Sequence, residues 1–461
     1  MKQIILFLIL TIQLLLPCTI GVAYDINNRP ILWKNRDKPI CADSTTCDPN
    51  INSIIERSNK LRLQNNNYNH DRLEINTAGT KDVFMGMNDK GLSIANSYIG
   101  DSVSKFSQER SRFKIHSNQT LIKRSLIECS NLDCFESLLM DSLNSLDVLD
   151  EIKSSFAIID SSGKAGIYEV FANYDTVLWD FELLNQDSVR YLVRTNHFEF
   201  NSLEFLNPGS DDSEYTSSFG RLQKTRLIMD QLIDSFEAKD LFSLGSYVDE
   251  SMMPLLRRFF KSNLSDYSIP HPYQNSYNRP FGYFYTDYSI NRARTVSSVV
   301  IQGVGENESA HQSIMWANIA NPITSPYFPF RITDFIDYTD NPEGELIPNS
   351  FPILLGNDDT ETSEFSLLSN SIREQLFNYS HSSLFSSYVD SYLLDTTISI
   401  LNSIEQNLID NHNNIDIIQE VSNAYNSLSN FYDLLNSQQI HNFSCETGIQ
   451  SFNDTAMIID K

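Results

Sequence analysis

The thiol of Cys18 is the group in this chain best placed to do covalent chemistry. It follows a segment in which Lys2 supplies a positive charge and Ile4 to Leu16 is apolar except for Thr11 and Gln13. That length suits the apolar region of a signal peptide and is short for a membrane span. Removal of residues 1–17 would leave a thiol and a free α-amine on one residue. An α-amine titrates at about 8, near a working pH, so it can take the thiol proton. The thiolate then attacks a carbonyl carbon with no separate histidine. While its nitrogen stays in a peptide bond, the same cysteine lacks that base.

Two leader cuts compete. Gly21-Val22-Ala23 has the small residues a signal peptidase prefers, and cutting there discards Cys18. Cutting between Pro17 and Cys18 keeps it, although proline is a poor residue at that place. Thr19 to Tyr24 reads as a strand, Asn27 to Pro30 as a turn and Ile31 to Trp33 as a second strand. A cut after Ala23 would remove most of the first strand, which favours keeping Cys18. Self-cleavage or trimming by another protease reconciles the two.

Other chemistries have less support. Cys18 with His197 in a papain-like pair needs no free terminus, but no papain-type sequence surrounds the cysteine. The histidines show no metal spacing, and with 16 glycines no phosphate-cradling loop stands out. The sequence therefore calls for no cofactor and no metal. The 59 acidic and 34 basic side chains give a net charge of −25, which repels nucleic acid and anionic membranes. No later stretch is long and apolar enough to span a bilayer, so no membrane contact is expected once the leader is gone. Of six cysteines, Cys41 with Cys47 and Cys129 with Cys134 are close enough for local disulfide clips. Cys18 and Cys445 are left unassigned. Sequons such as Asn118 carry little weight in a chain this rich in Asn.

The elements that must position Cys18 follow from patterning. Ile51 to Leu63 reads as a helix, and residues 80 to 98 as two strands around an Asn88–Gly91 turn. Ser117 to Leu146 has helical spacing and forms two helices. Residues 154 to 196 are strand-rich, residues 200 to 216 a surface loop, and Ser218 to Leu244 helical. Within it, over Arg221 to Phe236, Leu222, Leu227 and Leu232 fit a buried stripe poorly but tolerably. The aromatic stretch with Tyr267, Tyr273, Tyr277, Tyr283 and Tyr285 could line a cleft or pack as a surface loop. Residues 365 to 437 read as helices that either pack on the core or mediate self-association into a homo-oligomer. Strand blocks separated by helix pairs indicate a layered α+β chain.

These residues, taken in order, resemble a known family. Cys18-Thr19 opens a strand, and Arg29 to Asp37, reading Arg-Pro-Ile-Leu-Trp-Lys-Asn-Arg-Asp, closes the hairpin. This is similar to the mature start of the acyl-coenzyme A:isopenicillin N acyltransferase family, and more distantly to choloylglycine hydrolases and penicillin V acylases. Met85 to Leu92 resembles the family's Gly-x-Asn-Glu-x-Gly-Leu turn, with Asp89 where Glu is usual. Phe156 to Asp160, Gly163 and Tyr168 to Val170 resemble its central hairpin. Arg194 to Phe198 resembles its Thr-Asn-His-Phe element, and Ser217 to Arg221 its Ser-rich Arg segment. Ser297 to Gly303 and Met315-Trp316 resemble the late strands. The likeness spans about residues 18 to 330.

The resemblance implies an αββα four-layer sandwich of N-terminal-nucleophile type over 18–335, after a signal peptide 1–17 and before a mainly helical extension 336–461. It implies Cys18 as nucleophile and base, and Asp37 as the carboxylate that holds the amine. It implies Asn196 as an oxyanion donor, Arg221 as the tie of the polar network, and Asn96 as a second donor. Choloylglycine hydrolases carry arginine three residues before the aspartate. Here that position is Lys34, whose point charge cannot reproduce the guanidinium fork. The expected protein is a secreted or periplasmic amidohydrolase or acyltransferase. It would cleave a small linear amide or acyl-amino acid through a thioester. The alternative is a non-catalytic exported binding protein on the same scaffold, with Cys18 lost in the leader.

Overall fold

A computed structural model describes residues 18–37, 59–64, 70–77, 83–99, 116–146, 151–185, 187–207, 213–245, 283–285, 289–292, 295–305, 307–333, 364–378, 388–412 and 417–437. The leader, Cys41, Cys47, Cys445, Tyr267, Tyr273 and Tyr277 lie outside these residues.

The chain enters as the expected hairpin, β1 (Cys18–Tyr24) and β2 (Pro30–Asp37). Its turn is built by Asp25, whose Oδ1 accepts from the N–H groups of Asn27 and Arg29, both at 2.8 Å. Asn28 takes φ 58°, which asparagine tolerates better than most residues. Next comes an antiparallel meander of seven strands: β3 (Asn59–Gln64), β4 (Arg72–Thr77), β5 (Val83–Asn88), β6 (Ser93–Tyr98), β7 (Ile152–Ile159), β8 (Ala165–Ala172) and β9 (Val177–Leu183). The expected helix over 51–63 is corrected over its last residues, since Asn59–Gln64 pairs with β4 as an edge strand, while 51–58 lie outside the described residues. Short apolar runs are ambiguous between the two periods, and sheet pairing decided this one.

Between β6 and β7 run α1 (His116–Glu128) and α2 (Leu132–Asn144), the expected helix pair. Cys129 and Cys134 form a disulfide across their junction. Both helices cover one face of the meander. Leu121, Leu126, Phe135 and Leu139 pack there on Val83, Ile94, Phe156 and Tyr168. Asn118 is 1% exposed and accepts from the Lys153 N–H, so that sequon is buried.

The other sheet has the order β10-β1-β2-β12-β13-β14 and is antiparallel throughout. β10 (Tyr191–Arg194) pairs with β1, and α3 (Ser213–Leu232) and α4 (Ala238–Gly245) follow it. The expected loop over 200–216 is in part ordered: a short 3-10 turn, Glu204–Leu206, buries Leu206, and α3 already begins at Ser213. After β11 (Tyr283–Tyr285) come β12 (Thr295–Gln302), β13 (Ile314–Asn318) and β14 (Phe328–Phe330). The chain continues as α5 (Glu364–Leu376), β15 (Phe377–Asn378), β16 (Tyr388–Asp390), α6 (Ser391–Asn411) and α7 (Ile417–Ser437). β11, β15 and β16 make a small separate sheet.

The two large sheets lie face to face. β1 and β2 touch β6 and β7, and Ile20, Val22 and Leu32 share a core with Met85, Ala95, Ala157 and Ile167. α3 packs on β10, and α4 packs on β2 and β12. The layers thus run helix, sheet, sheet, helix: an α+β sandwich. The C-terminal helices join its core. Phe365 meets Phe328 edge-on at 5.4 Å, and Leu401 and Leu428 are buried with them.

Position β1 is interior, and every one of its residues is buried. Gly21 is required there. A Cβ on it would lie 2.2 Å from the Trp33 ring and 2.7 Å from the Leu192 carbonyl oxygen.

Candidate active site

Cys18 is the first residue of β1, 4% exposed and not disulfide-bonded. β-Register sets its neighbours. In the hairpin it stands level with Arg36. On its other side Ile20 pairs with Arg194, so the same ladder, carried on past β10, brings Asn196 alongside Cys18. The Cys18 N–H donates to Asn196 Oδ1 at 2.8 Å.

Arg221, on the first half of α3, closes this arrangement from the helical side. Its Nη1 donates to the Cys18 carbonyl at 2.8 Å and to Thr19 Oγ1 at 3.2 Å, and its Nη2 to Asn196 Oδ1 at 2.8 Å. It is among the largest fully buried side chains described. A buried guanidinium costs several kcal/mol of desolvation unless its donors are satisfied. Here the acceptors are the nucleophile's own main chain and the asparagine beside it.

Asn196 is fixed at both ends. Its Nδ2 donates to the Tyr98 carbonyl at 2.6 Å and to Ser97 Oγ at 3.3 Å, and its main-chain N–H to Ser218 Oγ at 2.8 Å. With Arg221 on the oxygen and a carbonyl on the nitrogen, the amide has one sensible orientation. The segment after it is pinned by the buried Glu169, which accepts from the N–H groups of Glu199 and Phe200 and pairs with Arg194.

Asp37 lies at the end of β2, fully buried. Thr295 Oγ1 donates to one of its oxygens, and Arg292 Nη1 is 3.8 Å from the other. It is next in sequence to Arg36, the residue level with Cys18. Asn96 is buried on β6, which packs against β2, and both ends of its amide are engaged. Lys34 Nζ donates to its Oδ1 at 2.9 Å, and its Nδ2 donates to Ser154 Oγ at 3.0 Å. Lys34 Nζ also donates to the Phe84 carbonyl at 3.1 Å. Burial pushes its ammonium down to about 8, with the Cys18 thiol opposing that shift. The Arg36 guanidinium lies over the Phe84 ring, 3.6 Å from its centre.

The five candidate residues are thus gathered unequally. Cys18, Asn196 and Arg221 form one bonded unit. Asn96 is tied to Lys34, and Asp37 has its described bonds on the β12 side. Both ring nitrogens of His197 point elsewhere, to Ser218 and Thr195 and to Glu199, which removes the geometric basis for a papain-like pair. Sequence reasoning missed Ser97, whose Oγ donates to the Thr195 carbonyl at 2.7 Å, and it gave Ser218 no role. Serine is so frequent in this chain that its spacing carries no signal.

The described residues thus place a buried cysteine, free of any disulfide, at the head of an interior strand in a sandwich of two antiparallel sheets. The family model described as acyl-coenzyme A:6-aminopenicillanic acid acyl-transferase matches residues 59–263. The resemblance to that acyltransferase family is therefore shown over that span, and it supports an amide hydrolase or acyltransferase. No curated protein matches the sequence. Among solved structures, the Caenorhabditis elegans N-acylethanolamine-hydrolyzing acid amidase ortholog is 13% identical, covering 65% of this chain and all of its own, with a TM-score of 0.32. A mutant conjugated bile acid hydrolase from Clostridium perfringens is 12% identical, covering 69% of this chain and 93% of its own, with a TM-score of 0.33. Penicillin G acylase from Alcaligenes faecalis is 10% identical, covering 56% of this chain and 57% of its own, with a TM-score of 0.32. At that level no activity transfers from them.

Proposed function

We propose that the mature protein begins at Cys18 and is an exported amidohydrolase or acyltransferase acting on a small linear amide or acyl-amino acid. The observation that carries this reading is the grip on the Cys18 main chain, with Asn196 on its nitrogen and Arg221 on its oxygen. A strand residue with no chemical task needs no buried arginine of its own. The interior place of β1 supports the same leader cut, because cleavage after Ala23 would delete most of a strand paired on both sides.

In the precursor the Cys18 nitrogen is a peptide N–H held by Asn196. Hydrolysis of the Pro17–Cys18 bond leaves an amine at that same place. The amine takes the thiol proton, and sulfur adds to the substrate carbonyl. The C–N bond then breaks, the leaving amine carries off the proton, and a thioester remains on Cys18. Water releases the acid and restores the thiol, or a second amine takes the acyl group. Asn196 Nδ2, now on Tyr98 and Ser97, is the donor we assign to the oxyanion. Asp37 orients the new amine, and Asn96 supports Lys34.

Mass spectrometry of the mature N-terminus is the first test. A chain starting at Tyr24 ends the enzyme reading and leaves the exported binding protein. Cys18→Ala must abolish turnover of acyl-amino acid and β-lactam probes, and turnover that survives it removes the nucleophile.

A further inference from the structure

Behind Asn196, a line of hydrogen-bonded polar groups runs from the buried Ser218 and His197 to the half-buried Glu199 and Arg226. Ser218 Oγ, which receives the Asn196 N–H, also lies 2.8 Å from His197 Nδ1. His197 Nε2 lies 2.8 Å from Glu199 Oε1, and Arg226 Nη2 donates to Glu199 Oε2 at 2.7 Å. The imidazole is 1% exposed and sits between Tyr215, edge-on at 5.2 Å, and Phe219 at 5.9 Å. Burial would raise the Glu199 carboxyl, but His197 and Arg226 outweigh it and hold the group down at about 2. An ionised carboxylate only accepts, so Nε2 carries a proton toward it. Nδ1 is thereby turned to Ser218 Oγ, whose own hydrogen goes to Thr195 Oγ1 at 2.9 Å, an oxygen 3.2 Å from the same ring nitrogen.

We infer that His197 is a positioning residue for Asn196. Locked by Glu199, the ring fixes the Ser218 hydroxyl, and that hydroxyl fixes the Asn196 main chain whose side chain receives the Cys18 nitrogen. The inference deepens the reading of Cys18 as nucleophile and rests on it. Nothing in this line touches the reacting atoms. It acts through geometry, where a displacement of about 1 Å can cost about 10²-fold in rate.

Two half-replacements of the ring separate this from packing. An asparagine amide reproduces the place of Nδ1, and a glutamine amide that of Nε2. His197→Asn keeps the Ser218 contact and should stay within about tenfold of wild-type kcat. His197→Gln loses that contact and should drop kcat about 10²-fold with KM nearly unchanged. Ser218→Ala removes a single oxygen and should match the glutamine variant. The double variant should lose no more than either alone, because one chain of contacts is being cut twice. Equal losses in His197→Asn and His197→Gln, or additive losses in the double variant, overturn the inference. Amide hydrogen exchange at Asn196 decides it independently of turnover. Exchange must rise about tenfold in His197→Gln and Ser218→Ala and stay near wild type in His197→Asn, tracking the local opening of that N–H. If the unaltered protein shows no Cys18-dependent turnover, the nucleophile reading fails, and the exchange pattern still upholds or rejects the role of His197.

Discussion

α2 and α3 lie on opposite outer faces of the sandwich and bury opposite kinds of surface. α2 turns Leu132, Phe135, Leu138, Leu139 and Leu143 into the core, a stripe at helical spacing. Asn131 caps it by accepting from the Cys134 N–H at 2.9 Å. α3 buries Thr216, Ser217, Ser218, Arg221, Lys224 and Thr225 beside Leu222 and Met229. Burying polar groups costs free energy unless each finds a partner. α2 is thus shaped by stability. The first half of α3 is shaped by what it must hold, the Cys18–Asn196 unit. Its irregular apolar spacing is the trace of that task.

The contrast can be broken from either side. Phe135 is fully buried, edge-on to Tyr168 at 5.2 Å and near Phe156. Phe135→Ala should cost about 3–5 kcal/mol in unfolding free energy. Chemical denaturation reads that loss, while kcat of the folded fraction stays within about twofold, since the meander stands between Phe135 and the site. A matching fall in kcat would mean that the two layers are coupled. Arg221→Lys should do the reverse. One ammonium cannot reach Cys18 O, Thr19 Oγ1 and Asn196 Oδ1 from one place. We expect about 10²-fold off kcat/KM, roughly 3 kcal/mol, with less than about half of that in stability. A loss larger in stability than in activity would make Arg221 a structural strut.

The same contrast explains what the sequence made legible. The β1–β2 hairpin, the Asn88–Gly91 turn with Gly91 at φ 85°, the α1–α2 pair and the late strands all follow local rules of period and turn chemistry. The strand at Asn59–Gln64 did not, because its pairing with β4 is tertiary. Cys18, Asn196 and Arg221 were legible only as a set. They are 178 and 203 positions from bonding partners, and no local pattern spans that distance. Asp37 and Asn96 were singled out only through the resemblance, and their partners, Thr295 and Lys34, come from register and side-chain reach.

Lys34 gives the smallest and finest test of polar burial against apolar burial. It stands in the interior of β2 where a hydrophobe would ordinarily sit, and burial lowers its pKa to about 8. In the unfolded chain the amine titrates near 10.4. Between these values the unfolded state binds more protons than the folded one, so stability must rise with pH. The gain is about 2 kcal/mol from pH 8 to pH 10, and below pH 8 the burial cost is present in full. Lys34→Met removes the titrating group while keeping most of its volume. Denaturant midpoints measured for both proteins across that range should converge as pH rises, with the variant the more stable at pH 7. Parallel curves would show that Lys34 is neutral throughout, or paired well enough that its burial costs nothing. Convergence would mark the cation as held there against its own solvation, beside the Cys18 thiol, for a reason other than stability.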